Sequence, residues 1–157
     1  MAILPTKPLN YRAALPDDAP ECVVVRGKTR QNAASEAWLR SIGVTSESWA
    51  GNIRSGTLPG HVCTVDGNIV GFCFGSRETG EIEVVAILPE FENLGIGQEL
   101  LRRTSETLAQ LGHTRLFLAC SPDPASRSHG FYRHLGWHST GSFDSHGDEI
   151  LEIFVDP

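Results

Sequence analysis

The chain has 157 residues, of which 40% are hydrophobic and 20% are charged, as expected for one soluble domain, residues 1–157, with a buried core. Thirteen Lys and Arg residues against nineteen Asp and Glu residues give a formal charge of −6. Without a basic stripe, this charge argues against nucleic acid as a partner. No apolar run approaches the ~20 residues of a membrane span, and the N-terminus lacks the pattern of a signal peptide. We therefore expect a cytoplasmic protein without a membrane partner.

The first part of the chain predicts a strand followed by helices. The segment LNYRAAL alternates weakly, and the corner at Pro16–Asp18 is typical of a strand end and a helix start. Residues 32–43 carry apolar side chains at roughly helical spacing and end at Gly43. Residues 45–56 predict a second short helix.

The rest of the chain predicts strands separated by two helices. Asp66-Gly67 between two apolar runs indicates a β-hairpin, and residues 81–88 predict the next strand. One helical face then carries Leu100, Leu101, Leu108 and Leu111. A strand, a helix and a terminal strand are predicted at residues 115–120, 125–136 and 149–155, and residues 137–143 are a candidate for one more strand. The order β-α-α-β-β-β-α-β-α-β indicates an α/β fold with a mixed sheet and helices on both faces.

Two segments partly match nucleotide-binding motifs. Gly27–Thr29 has the Gly-Lys-Thr end of a P-loop, but Cys22 stands where the first glycine is required. A dinucleotide site at Gly95 and Gly97 would need a third glycine where the chain has Leu100. Neither match therefore predicts a nucleotide cofactor.

Metal and thiol chemistry is not indicated either. Gly136 separates His134 from His138, so these side chains do not share a helical face, and no carboxylate or thiolate stands at ligand spacing. Cys120 ends an apolar strand without a cationic neighbour to lower its pKa. We expect the four cysteines to be buried, reduced thiols: Cys22, Cys63, Cys73 and Cys120.

A glycine turn between residues 86 and 101 is the strongest functional signal. In AILPEFENLGIGQELL, an apolar strand passes through Gly95-Ile96-Gly97 directly into a helix. Such a turn presents backbone N–H groups to an anion at the positive end of the helix. The two glycines alone fit a phosphate site and a plain strand-to-helix turn equally well.

The residues around the turn resemble the acetyl-CoA loop of the GNAT superfamily of N-acetyltransferases. Ile87, Pro89, Phe91, Gly95 and Gly97 fall in the register of that motif. The segment FYRHLGW, at residues 131–137, resembles the late helix of the family, and the order of elements matches over nearly the whole chain.

This resemblance implies a GNAT-like, mostly antiparallel sheet of six to seven strands. It also implies a metal-independent N-acetyltransferase that moves the acetyl group of acetyl-CoA to a primary amine, of a small molecule or a peptide, by direct attack in a ternary complex. Homodimers are common in the family. The alternative is a non-catalytic acyl-CoA sensor on the same fold, and the acidic chain favours a cationic acceptor.

The cofactor site implied by the resemblance departs from the family at two positions. Glu92 stands where the family has Gln or Arg, and its carboxylate would repel a pyrophosphate at close range. Ala125 replaces an asparagine that contacts the pantetheine arm, with Ser121, Asp123 and Ser126 as possible substitutes. The implied cofactor-binding residues are Ile87, Leu88, Glu92, Asn93, Leu94, Gly95, Ile96, Gly97, Gln98 and Ser126.

The resemblance also implies catalytic roles. Tyr132 matches the general acid that protonates the departing thiolate. Glu81 is the first candidate for the general base and Glu83 the second, and strand alternation puts both on the face of Val85 and Ile87. An acceptor pocket is expected near Asp144, His146, Asp148 and Glu149. Trp38 and Trp49 are candidates for its cover, although packing in the core is the simpler expectation for both.

Overall fold

The computed structural model describes residues 7–29 and 34–156. Within these ranges the strands are β1 (Asn10–Ala13), β2 (Gly60–Val65), β3 (Asn68–Gly75), β4 (Ile82–Ile87), β5 (Arg115–Cys120), β6 (His138–Phe143) and β7 (Glu149–Phe154). The helices are α1 (Ala19–Arg26), α2 (Glu36–Ser41), α3 (Ser46–Ser55), α4 (Ile96–Gln110) and α5 (Arg127–His134). The first six residues, and Asn32 and Ala33 at the start of a predicted helix, lie outside the described residues.

One more helix precedes β2 than the sequence order predicted. The Val23–Val25 run of α1 is typical of a strand, but a 3-10 turn at Pro16–Asp18 and a proline in the first helical turn start a helix there. Val23 and Val25 are buried in the core. Their burial outweighs the weak helix propensity of valine.

The strands form two antiparallel sheets, and among the described residues one isolated bridge joins them. One sheet has the order β1-β2-β3-β4 and the other the order β5-β7-β6. An isolated parallel bridge joins Glu81, just before β4, to Phe117 of β5, and the N–H of Phe117 donates to the carbonyl of Gly80 at 3.3 Å. Beyond this bridge β4 and β5 are not paired, so a gap opens between the sheets.

The predicted α/β fold is confirmed, including the additional strand at residues 138–143. The side chains of β3 face two different cores. Phe72 and Phe74 pack with Trp49 of α3, whose ring lies 5.4 to 5.6 Å from theirs. Val70 and Cys73 pack on the side of α4. Helices therefore cover both faces of the first sheet.

A β-bulge changes the direction of side chains along β4. Val84 pairs with Phe74 and Ile82 pairs with Gly75, which leaves Glu83 as an extra residue. As a result Ile82 packs in the same cluster as Val85 and Ile87, while Val84 packs in the other. Strict alternation therefore ends at the bulge, so Glu81 does not share the face of Val85 and Ile87 as expected.

The long helix α4 packs its apolar face on the first sheet, as predicted. Leu100, Leu101 and Leu108 are buried, and so is Thr104, whose hydroxyl lies 3.5 Å from the carbonyl oxygen of Cys73. Leu111 is 40% exposed. It follows the last helical residue, so it does not extend the buried face as the sequence analysis expected.

Gly71 provides the space in which the start of α4 lies against the sheet. A Cβ atom at this position would come 2.7 Å from Cδ1 of Ile87 and 3.2 Å from Cγ2 of Ile96, the first residue of α4. A side chain would therefore push the helix start away from β3 and β4. The cysteines behave as predicted, since all four are free and buried.

Substitution Gly71→Ala is expected to lower the free energy of unfolding by about 1–3 kcal/mol, because the added methyl group overpacks the contact between β3, β4 and α4. Gly51→Ala is the matched control. Nothing lies within 4 Å of a Cβ there, in the middle of α3, so alanine should stabilise the helix by up to about 1 kcal/mol. Urea denaturation measures both changes, and equal stability of Gly71→Ala and the native protein would contradict the packing argument.

Candidate active site

A cleft of about 1040 Å³ opens where β4 and β5 separate. Both strands line it, with Ile82–Val85 and Ile87 on one side and Leu118–Ser121 on the other. The glycine turn and α5 border one part of the cleft, and residues from α1 to α2 border another. The sequence-predicted phosphate turn and the predicted general acid thus meet in one cavity.

The glycine turn leaves the start of α4 open towards this cleft. Asn93 and Gly95 have positive φ angles of 63° and 79°, and the second of these directs the chain into the helix. No side chain caps the helix, and Gly95–Gln98 line the cleft. The N–H groups of this first turn have no partner within the helix, so together with the helix dipole they form a site for an anion.

The second glycine of the turn has a different role. A Cβ at Gly97 would lie 3.3 Å from Cζ of Phe131 in α5 and 3.9 Å from Cγ1 of Ile87. Its absence lets α5 pack closely against the first turn of α4. The residue next to Phe131 is Tyr132, so this contact brings the predicted acid close to the predicted anion site.

Glu92 forms an ion pair with Arg127, the first residue of α5. The carboxylate side chain is 11% exposed and the arginine side chain 47%. Nη2 of Arg127 also donates to Oδ1 of Asn93 at 3.2 Å. The carboxylate that conflicts with a phosphate site is thus neutralised from another helix. Arg127 was not among the residues predicted from the sequence, although an acidic residue beside a phosphate turn signals that a cation must lie nearby.

The edge of β4 offers a further backbone donor. The N–H of Leu88 donates to the carbonyl of Val70 at 2.8 Å, and Leu88 does not line the cleft. In an extended strand successive N–H groups point in opposite directions. The N–H of Ile87 therefore points towards the open edge and the cleft. Of the two predicted carbonyl donors, the geometry favours Ile87.

Tyr132 lies in the cleft among aromatic rings. Its ring is 5.0 Å from that of Phe131 and 6.1 Å from that of Trp137, both in edge-on geometry. Burial raises the pKa of the phenol, and the nearby thiols of Cys73 and Cys120 add to this effect. No residue in the described part of the chain hydrogen-bonds the hydroxyl. Tyr132 is therefore protonated at neutral pH and able to donate.

The two candidate bases are placed differently. Glu83 lines the cleft, and Glu81 does not. Glu81 instead lies at the bridge between the sheets, where its N–H donates to the Thr79 hydroxyl at 3.2 Å. Burial, and then the neighbouring charge of Glu81, raises the pKa of Glu83. Burial, and then Asp144, raises the pKa of Glu81. The structure thus favours Glu83 over Glu81, the reverse of the sequence preference.

Only one of the four loop residues expected in an acceptor pocket lines the cleft, and it is Asp148. Oδ1 of Asp144 accepts hydrogen bonds from the N–H groups of His146 and Asp148, both at 2.9 Å, so this carboxylate folds its own loop. Glu149 is buried and accepts a hydrogen bond from Arg133 at 2.6 Å. These contacts fix the loop and α5, and they leave Asp148 as the acidic group of the loop in the cleft.

The two tryptophans considered as a cover also differ. Trp49 is a core residue, 8% exposed. Trp38 is 54% exposed and lines the cleft together with Ser35 of the preceding helix cap. Arg26 and Thr29 line the same part. Sequence spacing treated the tryptophans alike, and only tertiary packing distinguishes them.

The substitute for the missing asparagine also differs from the sequence choice. Ser126 does not line the cleft, because its hydroxyl donates to the carbonyl of Asp123 at 2.8 Å at the start of α5. Ser121 and Ser128 do line the cleft. Ser121 is therefore the better candidate for a polar contact with a ligand arm that follows β5.

Neither a metal site nor a membrane span emerges from the described ranges. In residues 7–29 and 34–156, no group of three His, Cys, Asp or Glu side chains is arranged to hold a metal ion. His138 instead lies 3.5 Å from Glu152 through Nε2 and Oε1. Within those same ranges, no helix combines the length and the apolar character needed to cross a membrane.

Several solved structures share this fold. PaiA N-acetyltransferase from Thermoplasma acidophilum, solved in complex with coenzyme A, has a TM-score of 0.78 at 17% identity, over 94% of this chain and 99% of that chain. Ribosomal-protein-S18-alanine N-acetyltransferase from Escherichia coli has a TM-score of 0.70 at 16% identity, over 95% of both chains. YncA from Salmonella typhimurium, solved with its cofactor acetyl-CoA, has a TM-score of 0.74 at 15% identity, over 96% of this chain and 95% of that chain.

The sequence comparisons identify the family. No curated protein sequence matches the chain significantly. The sequence model described as the acetyltransferase (GNAT) family matches residues 25–137. This match includes β4, the glycine turn, α4, β5 and α5, and so it contains most of the residues that line the cleft. The resemblance seen in the sequence is confirmed, and the chain belongs to the GNAT family of acetyltransferases.

Proposed function

We propose that this protein transfers the acetyl group of acetyl-CoA to a primary amine by direct attack in a ternary complex. The observation that carries the proposal is the convergence of three groups on one cleft. These are the open N-terminus of α4, the edge amide of Ile87 and the hydroxyl of Tyr132. An anion site, a carbonyl donor and a proton donor are what acetyl transfer from a phosphate-bearing thioester requires.

The cleft fits the cofactor in chemistry and size. The first turn of α4 supplies N–H donors for the pyrophosphate, and the edge of β4 supplies donors for an extended amide-containing arm. Its volume of about 1040 Å³ lies at the upper end of the range for small-molecule sites. Acetyl-CoA supplies an acetyl group activated as a thioester, and the neighbours solved with coenzyme A and acetyl-CoA support this choice.

Residues of the chain carry each proton transfer in the proposed reaction. Glu83, directly or through water, takes the proton of the attacking ammonium group, so that the nitrogen lone pair can form the new C–N bond. The N–H of Ile87 donates to the carbonyl oxygen as negative charge develops there. Tyr132 gives its proton to the sulfur as the C–S bond breaks, and the products are an amide and a free thiol.

Burial acts on both partners of this proton transfer in the same direction. It raises the pKa of Tyr132, and it also raises the pKa of the thiol of Cys120. A thiolate expelled into the same environment would likewise be more basic than in water. The thiolate therefore becomes a better proton acceptor there, which partly offsets the weaker acidity of the buried phenol.

The acceptor is a primary amine that reaches Glu83 through the part of the cleft bordered by Trp38. Glu83 and Asp148 line the same cleft with two carboxylates, which supports a cationic acceptor. Trp38 offers an exposed aromatic face for the apolar part or the charge of such a molecule.

Isothermal titration with acetyl-CoA, followed by a thiol-release screen of amine classes, tests the function as a whole. We expect saturable binding of acetyl-CoA and release of free thiol with at least one primary amine. Absence of binding at millimolar acetyl-CoA would refute the proposal. Binding without thiol release on any amine would support the acyl-CoA sensor instead.

Substitution Tyr132→Phe is expected to lower kcat about a hundredfold, because the leaving sulfur loses its proton donor. Affinity for acetyl-CoA should remain near that of the native protein, since the ring and its aromatic contacts are retained. Steady-state kinetics and titration measure the two effects separately. Unchanged turnover would remove Tyr132 from the acid role.

Substitution Glu83→Gln is expected to lower kcat/KM about a hundredfold through loss of the base. Glu81→Gln is the matched control, and it should retain most activity. The raised pKa of Glu83 means that activity is present above that pKa and falls as the pH drops through it. Because the charge of Glu81 contributes to the rise in this pKa, Glu81→Gln should move the acid limb of the pH profile to lower pH. A larger loss of kcat/KM with Glu81→Gln than with Glu83→Gln would assign the general base to Glu81 instead.

A further inference from the structure

We propose that Arg127 binds the pyrophosphate of acetyl-CoA, and that Glu92 is the counterion that holds this arginine rather than a ligand of the cofactor. This inference rests on the proposed use of acetyl-CoA. It assigns the side-chain cation of the phosphate site to α5, whereas the family resemblance puts a Gln or Arg side chain at the position of Glu92 on the turn itself.

The contacts of Arg127 place its guanidinium group at the glycine turn. It forms an ion pair with Glu92, and Nη2 donates to Oδ1 of Asn93 at 3.2 Å. Both partners lie in the turn that leads to Gly95, and all four residues line the cleft. The cation is therefore anchored beside the open N–H groups of α4, which form the anion site.

The two members of the pair are buried to different degrees. Glu92 is 11% exposed and Arg127 is 47% exposed, so the arginine side chain keeps more of its surface open to an anion than the carboxylate side chain does. With its five N–H donors, a guanidinium group can contact several acceptors at once. An order of carboxylate, guanidinium and phosphate alternates the charges and removes the repulsion that Glu92 alone would cause.

The location favours the pyrophosphate over the 3′-phosphate of coenzyme A. The turn amides provide the concentrated donor set of the cleft, and a doubly charged linkage of two phosphates makes the best use of them. Arg127 stands beside those amides and extends the same donor set. The pairing also joins the turn before α4 to the first residue of α5, five positions before Tyr132.

The test compares three acetyl donors in kinetics with Arg127→Gln. The donors are acetyl-CoA, acetyl-dephospho-CoA, which lacks the 3′-phosphate, and acetyl-pantetheine, which lacks the pyrophosphate. We expect KM to rise about tenfold or more for the first two donors, as for the loss of a hydrogen bond to a charged group. For acetyl-pantetheine, KM and kcat should stay within about twofold of the native values.

Two further variants make the test specific. Arg102→Gln removes one positive charge from the exposed face of α4, where Arg102 pairs with Glu99 and Glu106, and it should leave KM for acetyl-CoA nearly unchanged. Arg127→Glu should weaken the binding of acetyl-CoA most, because two carboxylates then adjoin the turn. The double variant with Glu92→Arg and Arg127→Glu restores the ion pair with reversed partners and should recover part of the affinity.

Three results would overturn the assignment. One is an unchanged KM for acetyl-CoA in a folded Arg127→Gln protein. Another is an equal rise in KM for acetyl-pantetheine, which would indicate distortion of α5. The third is a rise in KM for acetyl-CoA without a rise in KM for acetyl-dephospho-CoA, which would assign Arg127 to the 3′-phosphate. Failure of the proposed function itself is distinct, since the native protein would then turn over none of the three donors.

Discussion

The separation of β4 from β5 is the constraint on which the site depends. The strands still meet at the bridge between Glu81 and Phe117, and beyond it each has an unpaired edge. Because α4 connects these two strands, its N-terminus lies beside the place where they part. Edge amides of β4 and first-turn amides of α4 therefore open into one cleft. A fully paired sheet would have consumed the first set of donors and closed the space in front of the second.

The electrostatics of the cleft are local and do not follow the charge of the whole chain. A formal charge of −6 opposes the approach of a polyanionic cofactor at long range. Within the cleft, backbone dipoles and the guanidinium of Arg127 determine the potential at the turn, and Glu92 is neutralised by its ion pair. The carboxylates that remain, Glu83 and Asp148, lie where an amine is expected. The cleft thus carries groups of both signs, since Arg26 also lines it.

Sequence predicted the parts of the site that are local in the chain. The glycine turn depends on the conformation of Gly95, and the helix that carries Tyr132 depends on its own apolar spacing, so both were visible in short segments. The ion-pair partner of Glu92 was not visible in this way, because Arg127 stands 35 positions away on another helix. The placement of Glu83 rather than Glu81 in the cleft was not visible for a related reason: the bulge at Glu83 arises from pairing with β3, and nothing in the segment itself specifies it.

The same bulge determines the orientation of the Glu83 side chain, because the pairing of β4 with the buried strand β3 is irregular at this point. The bulge lies opposite Gly75, where a Cβ would come 2.8 Å from Cδ1 of Leu108 in α4. A side chain at Gly75 would therefore disturb the irregular pairing that turns Glu83 towards the cleft. Trp38, by contrast, belongs to α2, a helix that takes no part in this pairing. Substitution of Trp38 would therefore alter the lining of the cleft without touching the pairing that positions Glu83.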